Sequence, residues 1–326
     1  MIKAFLADAG KILIRRDAPS PSPLLQVQAC GICRTDRKGF RAPPSSMALP
    51  RVPGHEVSGI LCRDFPALRL CQGDRVVLWP ALSCGRCRFC LTGRENLCPK
   101  IALFGYHIDG GFGAEIDPPT HFLNQPFFCL IPEPLDFIHA SMAEPLGCVL
   151  HALGMAGPPS PRSLLILGAG LMGRLTGRAA RALWPECDIQ LYDLDERRLA
   201  NCRAEGGTGK PGNADLVFLA ASSREVFFTG LDHLGPGGMM ILFSGFPKQE
   251  QQVIFEHNLL HRQEQRLAGS YGCCPADLRQ ALDLMASRDV EVDDLITRTI
   301  SLEQVGDELQ RQQGADDYKT VIVDFK

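Results

Sequence analysis

The sequence predicts an α/β chain that combines a doubly wound parallel sheet with an irregular, β-rich domain. Three observations carry that prediction. Residues 163–193 run strand, glycine-rich turn, helix, strand and acid, the order of a nucleotide-binding unit. The part before about residue 145 is rich in Gly and Pro and holds short apolar strands such as Leu25 to Ala29 and Val76 to Trp79. The chain closes with a helical segment, "PADLRQALDLMASRD", which puts Leu278, Ala281 and Leu282 on one face, and a last strand, "YKTVIVDF".

The parallel unit reads "RSLLILGAGLMGRLTGRAARALWPECDIQLYDLDERRL". Ser163 to Leu167 form a short apolar run suited to a buried strand. Gly168, Gly170 and Gly173 follow as G-x-G-x-x-G, with Leu171 and Met172 inside the motif, and a helical run continues to about Leu183. The first glycine permits the tight turn, the second lets backbone approach a pyrophosphate, and the third lets helix and strand pack closely. The helix N-terminus then faces the anion. A second strand, Ile189 to Tyr192, ends at Asp193, whose carboxylate can accept hydrogen bonds from a ribose and repel a 2′-phosphate. This is a Rossmann-type dinucleotide unit, and Asp193 predicts NAD in preference to NADP. Arg197 and Arg198 lie just beyond it and oppose that repulsion. The runs "ADLVFLA" and "GGMMILF" extend the same sheet.

Composition sets the outer limits. At 326 residues the chain suggests two domains, and 45% hydrophobic with 22% charged residues is close to the globular average. A formal net charge of −3 offers no basic field for nucleic acid or an anionic membrane. No segment approaches the length of apolar chain that a membrane helix needs, and "MIKAFLADAGKILIRRD" lacks the plan of a signal peptide. The expected location is the cytoplasm, where fourteen cysteines serve as thiols or metal ligands sooner than as disulfides.

Four of those cysteines fall in "CGRCRFCLTGRENLC". Cys84, Cys87, Cys90 and Cys98 are spaced C-x2-C-x2-C-x7-C within a polar loop, and four thiolates suit a closed tetrahedral zinc site. An iron–sulfur cluster is the competing occupant of such a set. A closed zinc site supports structure and leaves no open position for substrate, so the chemistry belongs elsewhere. "ACGICRTDRKGF" carries Cys30 and Cys33, and "LPRVPGHEVSGIL" carries His55 and Glu56. Thiolate, imidazole and carboxylate form a mixed donor set that zinc accepts while leaving a position open.

Together, "CGICRTD", "PGHEVSG", "GDRV", the four-cysteine loop, "GYHIDGGFGAEI", "MAEPLGCVLHAL" and "LLILGAGLMG" resemble the zinc-dependent medium-chain alcohol dehydrogenases, which include sorbitol and threonine dehydrogenases. The resemblance covers nearly the whole chain. It implies a GroES-like catalytic, zinc-binding domain at 1–145 and 270–326, interleaved with a Rossmann domain at 146–269. It implies two zinc ions per chain, NAD, a small alcohol or carbonyl substrate, and a homodimer or homotetramer. Residue by residue, it assigns Cys33, His55 and Glu144 to the catalytic zinc, with Glu56 as an acid that coordinates or exchanges there. Thr35 matches the hydroxyl that takes the alcohol proton, and Asp36 a carboxylate that orients His55. Arg34 matches a pyrophosphate contact, and Lys319 is placed to reach the cofactor, against the plainer reading of a solvated lysine. Cys30 and Cys148 are expected to be packing. His107, Asp109 and Tyr271 are candidates to line the substrate cleft.

Two departures stand out. Lys38 occupies the place where many relatives carry a proton-relaying histidine, and a lysine holds its proton too tightly at neutral pH for that task. Between Asp193 and "NADLVFLA" there is only "LDERRLANCRAEGGTGKPG", where relatives fit a strand and a helix, so the Rossmann half is expected to be trimmed. The reaction this implies is hydride transfer between an alcohol and its ketone or aldehyde, with Glu144 favouring polyols or sugar alcohols over simple alcohols. A zinc-free reductase of the same fold and a catalytically silent nucleotide-binding relative are the alternatives.

Overall fold

The computed structural model describes residues 1–21, 23–117, 127–202, 205–208, 210–247 and 252–325. Its contacts divide the chain into two compact units, Met1–Gly147 with Cys273–Ser287 and Val292–Lys326, and Cys148–Gly272 with Arg288–Glu291.

In the first unit, β1 (Ile2–Asp8) and β2 (Lys11–Arg16) form an antiparallel pair. Among the described residues the main sheet has seven strands. Its path is β15 (Ile296–Ser301), β16 (Lys319–Asp324), β3 (Leu25–Ile32), β4 (Glu56–Leu61), β5 (Arg75–Leu78) and β9 (Phe128–Leu130), with β8 (Glu115–Ile116) also on β3. Only β15 and β16 run parallel within it. A small pair, β6 (Ala81–Leu82) and β7 (Ala102–Leu103), lies on either side of the cysteine loop in sequence. β4 and β5 are buried almost throughout, so their apolar residues do not alternate cleanly with exposed polar ones. The helices are α1 (Arg34–Arg41), α2 (Phe137–Ala140), α3 (Ala143–Gly154, which continues into the second unit), α8 (Pro275–Ala286) and α9 (Val305–Gln310). α8 starts where its sequence says it should. Pro275 takes the first turn and Asp277 accepts the Cys274 N–H at 2.7 Å.

The second unit is the parallel sheet. Its order is β11 (Asp188–Tyr192), β10 (Ser163–Leu167), β12 (Ala214–Leu219), β13 (Leu234–Leu242) and β14 (Arg266–Gly269). α4 (Leu171–Leu183), α5 (Glu196–Ala200), α6 (Arg224–Asp232) and α7 (His257–Gln263) accompany it. Leu165, Leu167, Val217, Leu219, Phe227 and Met240 form its core. β14 escapes the sequence reading because "RLAG" has no apolar run to mark it. The expected trimming is visible as topology: beyond β11, where a doubly wound sheet carries its third strand, the described residues contribute only an isolated bridge, Leu191 to Gly207. No helix among the described residues is long and apolar enough to cross a membrane.

Candidate active site and metal centres

The catalytic candidates converge where β3 hands over to α1 and where β4 begins. Cys33 is the extended N-cap of α1, and Asp36 closes the cap by accepting the Cys33 N–H at 2.8 Å. The other Asp36 oxygen accepts the Gly54 N–H at 3.3 Å and faces His55 Nδ1 at 3.5 Å. At that length the His55 contact is an ion pair sooner than a well-formed hydrogen bond, and Nδ1 has no other partner. Burial disfavours a charged imidazole, but the Asp36 charge and the contacts to Asp36 and Cys33 prevail and hold His55 well above its usual pKa. With Nδ1 turned to Asp36, Nε2 is the nitrogen left for a metal.

One donor atom each from Cys33, His55 and Glu56 lies within 4.8 Å of the other two. A thiol, an imidazole and a carboxylate at that spacing suit a zinc ion with a position left open. Thr35 adjoins them, with the Cys33 thiol donating to its hydroxyl at 3.4 Å, and its side chain is open to solvent. Tyr106, which sequence reasoning missed, completes the surround. Its hydroxyl donates to the Thr35 carbonyl at 3.4 Å and its ring centre is 6.5 Å from that of His55. Its only signal in the sequence is an aromatic beside His107 in "GYHIDGG".

Glu56 is buried at 1% exposure and held by Lys319, whose ammonium donates to both carboxylate oxygens at 2.7 and 2.6 Å. The third ammonium direction points to the Ile32 carbonyl at 3.5 Å. Burial works against the charge, yet Glu56 foremost, with Cys33 and Glu144, keeps the Lys319 pKa above its usual value. Lys319 is therefore a buried lysine, not a solvated one, and its ammonium is bonded to Glu56 and turned to the Ile32 carbonyl. Gly31 is required here, because a Cβ on it would stand 1.9 Å from Glu56 Oε2.

The Glu144 carboxylate is not within 4.8 Å of all three of those donor atoms. Glu144 sits in the first turn of α3, and its carboxylate lies within 4.8 Å of the Cys273 sulfur. Glu56 is thus the carboxylate beside Cys33 and His55. Cys30 is buried packing, its thiol turned to the Gly31 carbonyl, and Cys148 lies one helical turn past Glu144. The other candidates for a cleft are otherwise engaged or exposed. His107 Nδ1 accepts the Leu103 N–H at 3.0 Å, Asp109 binds Arg51 and the Val52 N–H, and Tyr271 is 63% exposed.

The sulfur loop is already shaped for one ion. Cys84, Cys87, Cys90 and Cys98 bring their sulfurs within 4.8 Å of one another, with Cys87 to Cys90 at 3.5 Å and Cys84 to Cys90 at 4.0 Å. Sulfurs about 2.3 Å from one tetrahedral zinc are roughly 3.8 Å apart, which fits; the body of a multi-iron cluster would hold them further from each other. Backbone N–H groups, that of Arg86 first, bring the Cys84 thiol down to about 6, and the Cys90 N–H lowers Cys87, whereas burial pushes Cys98 up to about 11. Two sulfurs thus ionise readily, and a metal would draw the remaining protons off.

In the second unit, Gly168 turns the chain at φ +115°, and a Cβ on Gly173 would stand 1.7 Å from the Gly168 carbonyl oxygen, so α4 can seat only on glycine there. Leu171 and Met172 open α4, directly after Gly170. Asp193 follows β11 and accepts the Ala169 N–H at 2.7 Å and the Asp195 N–H at 2.9 Å, with Arg198 3.8 Å away. Arg197 is paired with Asp195. Arg34 and Lys38 are both exposed on α1.

A GroES-like β domain bearing a thiol–imidazole–carboxylate cluster and a four-sulfur loop, in one chain with a Rossmann sheet, defines the class of the medium-chain dehydrogenases. Residues 22–124 match the alcohol dehydrogenase GroES-like domain family. The chain is 30% identical over 296 residues to the Aspergillus clavatus protein named Probable D-xylulose reductase A, covering 84% of this chain and 80% of that one. It is 28% identical over 327 residues to an uncharacterized zinc-type alcohol dehydrogenase-like protein of Haemophilus influenzae, with 93% of each covered. It superposes with a TM-score of 0.86 and 30% identity on a Sinorhizobium meliloti protein assigned as a zinc-binding dehydrogenase and solved bound to NADP, covering 99% and 98% of the two chains. The chain belongs to the zinc-dependent medium-chain alcohol dehydrogenase superfamily.

Proposed function

We propose that the protein is a zinc-dependent, NAD-linked dehydrogenase that interconverts a polyol or sugar alcohol and its ketone. The observation that carries this reading is the Cys33, His55 and Glu56 cluster with the Thr35 hydroxyl at its edge. A zinc ion held by Cys33, His55 and Glu56 supplies Lewis acidity that makes an alcohol hydroxyl acidic, and a nicotinamide supplies the hydride acceptor. Asp36 and Lys319 keep the donors in place, one turned to His55 and the other gripping Glu56. Thr35 accepts the alcohol proton and, being open to solvent, passes it to water without help from Lys38. Gly168 to Gly173 receive the pyrophosphate, Arg34 is its second contact, and Asp193 takes the adenosine ribose. A second zinc in the four-sulfur loop is structural. The polyol class is supported by a carboxylate, Glu56, in place of a second sulfur at the catalytic cluster and by the likeness to a D-xylulose reductase.

A panel of polyols, sugars and simple alcohols followed at the NADH absorbance, with NAD and NADP in parallel, tests the proposal. Turnover of a polyol is expected, with kcat/KM for NAD roughly a hundredfold above that for NADP, a difference of about 2.7 kcal/mol. Equal efficiencies would mean that Arg198, not Asp193, governs the ribose pocket; no turnover of any alcohol would sink the reading. Thr35→Ala is expected to slow hydride transfer by about a hundredfold and leave cofactor affinity nearly unchanged, because general acid–base groups contribute on that scale. An unchanged single-turnover rate would remove Thr35 from the proton path.

A further inference from the structure

Among the described residues no strand pairs with the outer edge of β11, yet that edge is covered. The connector after α5 folds back along it, with the Leu191 N–H donating to the Gly206 carbonyl and the Thr208 N–H to the Leu191 carbonyl, both at 2.9 Å. This carries Glu205, only 4% exposed, against α4. A single Glu205 oxygen, Oε1, accepts from Arg174 Nε and Nη2 at 3.0 and 2.7 Å and from Arg178 Nε and Nη2 at 3.0 and 2.7 Å. The other oxygen is buried, with no hydrogen-bond partner among the described residues. Arg174 follows Gly173 directly and is itself 6% exposed. Within the same stretch, the Cys202 thiol is turned to the Ala169 carbonyl at 3.8 Å, and Asp193 takes the Ala169 N–H. The middle of the glycine turn is thus gripped at both its C=O and its N–H by the chain that follows β11.

We propose that Glu205 is a positioning residue for the dinucleotide: by fastening two successive turns of α4 to the shortened connector, it aims the glycine loop from an edge where the described residues form no further strand. The inference rests on the reading that a dinucleotide binds at that loop. A buried ionic triad is a costly way to fill space, since apolar side chains of similar volume usually stabilise as well or better. What it adds is direction. Two guanidinium forks four residues apart, converging on one oxygen, fix both the rotation of the helix about its axis and its displacement along it. A helix N-terminus holds a phosphate well only while its first N–H groups point at it, so this control bears on cofactor binding.

The test is Glu205→Gln, which removes the charge and keeps the size, with NADH binding followed by nicotinamide fluorescence. The Kd for NADH is expected to rise about tenfold, because misplacing a positioned group by about an ångström costs that much or more. The KM for alcohol and kcat at saturating NAD are expected to stay within about twofold, the pattern of lost cofactor binding. Glu205→Asp should recover part of the loss. A folded Glu205→Gln protein with unchanged Kd, whatever its melting temperature, overturns the proposal. Should that variant not fold, Arg174→Lys keeps the charge and loses the fork, and must show the same rise; if neither folds, Glu205 is structural only and the proposal fails. Wild-type protein that binds no NADH would remove the dinucleotide reading and this inference with it, whereas binding that is indifferent to Glu205 removes only the latter.

Discussion

Cys33→Ser is expected to lower kcat by about three orders of magnitude while the melting temperature stays at or slightly above that of the wild type. The loss follows from the donor set. A serine hydroxyl is a poor replacement for a thiolate, so an ion held there with His55 and Glu56 would be lost or mispositioned, and the Lewis acidity it would supply, worth several kcal/mol, would go with it, at about 1.4 kcal/mol per tenfold in rate. The retained stability follows from the place of Cys33 in the fold. It is an N-cap, its backbone N–H already bonded to Asp36, and serine caps helices better than cysteine does. Metal content per chain should fall by one ion. Wild-type activity in this variant would show that the cluster is not the catalytic one.

Cys98→Ser is expected to fail in the opposite way. Cys98 is the most buried of the four loop cysteines, at 3% exposure, and its sulfur accepts the Cys84 N–H at 3.3 Å. Removing one of four thiolates opens a closed site whose metal binding contributes directly to folding, so stability should drop by about 3–5 kcal/mol, or roughly 10 °C in melting temperature. The damage has a path outward. Asn96, between Cys90 and Cys98, meets the Cys274 thiol at 3.3 Å, and Cys274 is the N-cap of α8. Residual turnover per folded molecule should remain near wild type. Thermal melts and metal analysis of the two variants, side by side, separate the sites; the reverse order of damage would require their roles to be exchanged.

Local pattern was enough for most of the architecture. Strand Ser163–Leu167, the glycine turn, helix α4 and strand β11 are legible because a buried parallel strand is continuously apolar and because the turn needs glycine where a Cβ would meet backbone. The four sulfurs are legible because short loops hold them together along the chain, so their spacing is their geometry. Cys33, Thr35 and Asp36 share one turn of α1, which sequence proximity alone conveys.

Other features depend on contacts between residues far apart in the chain, which no periodicity records. Lys319 reads as a surface lysine at the end of a strand, and only the pairing of β16 with β3 brings it to Glu56, 263 positions away. The same holds for Glu56 and Glu144, since both are acids in plausible motifs and only the fold sets which sulfurs each lies beside. Glu205 and Arg174 look like ordinary charges in a loop and on a helix; a buried triad appears only once the connector has folded along β11. A side chain's local rotamer and spacing are written in its own segment, whereas burial and charge pairing are set by whichever distant segment comes to lie against it, and for these residues that neighbour is supplied by the fold.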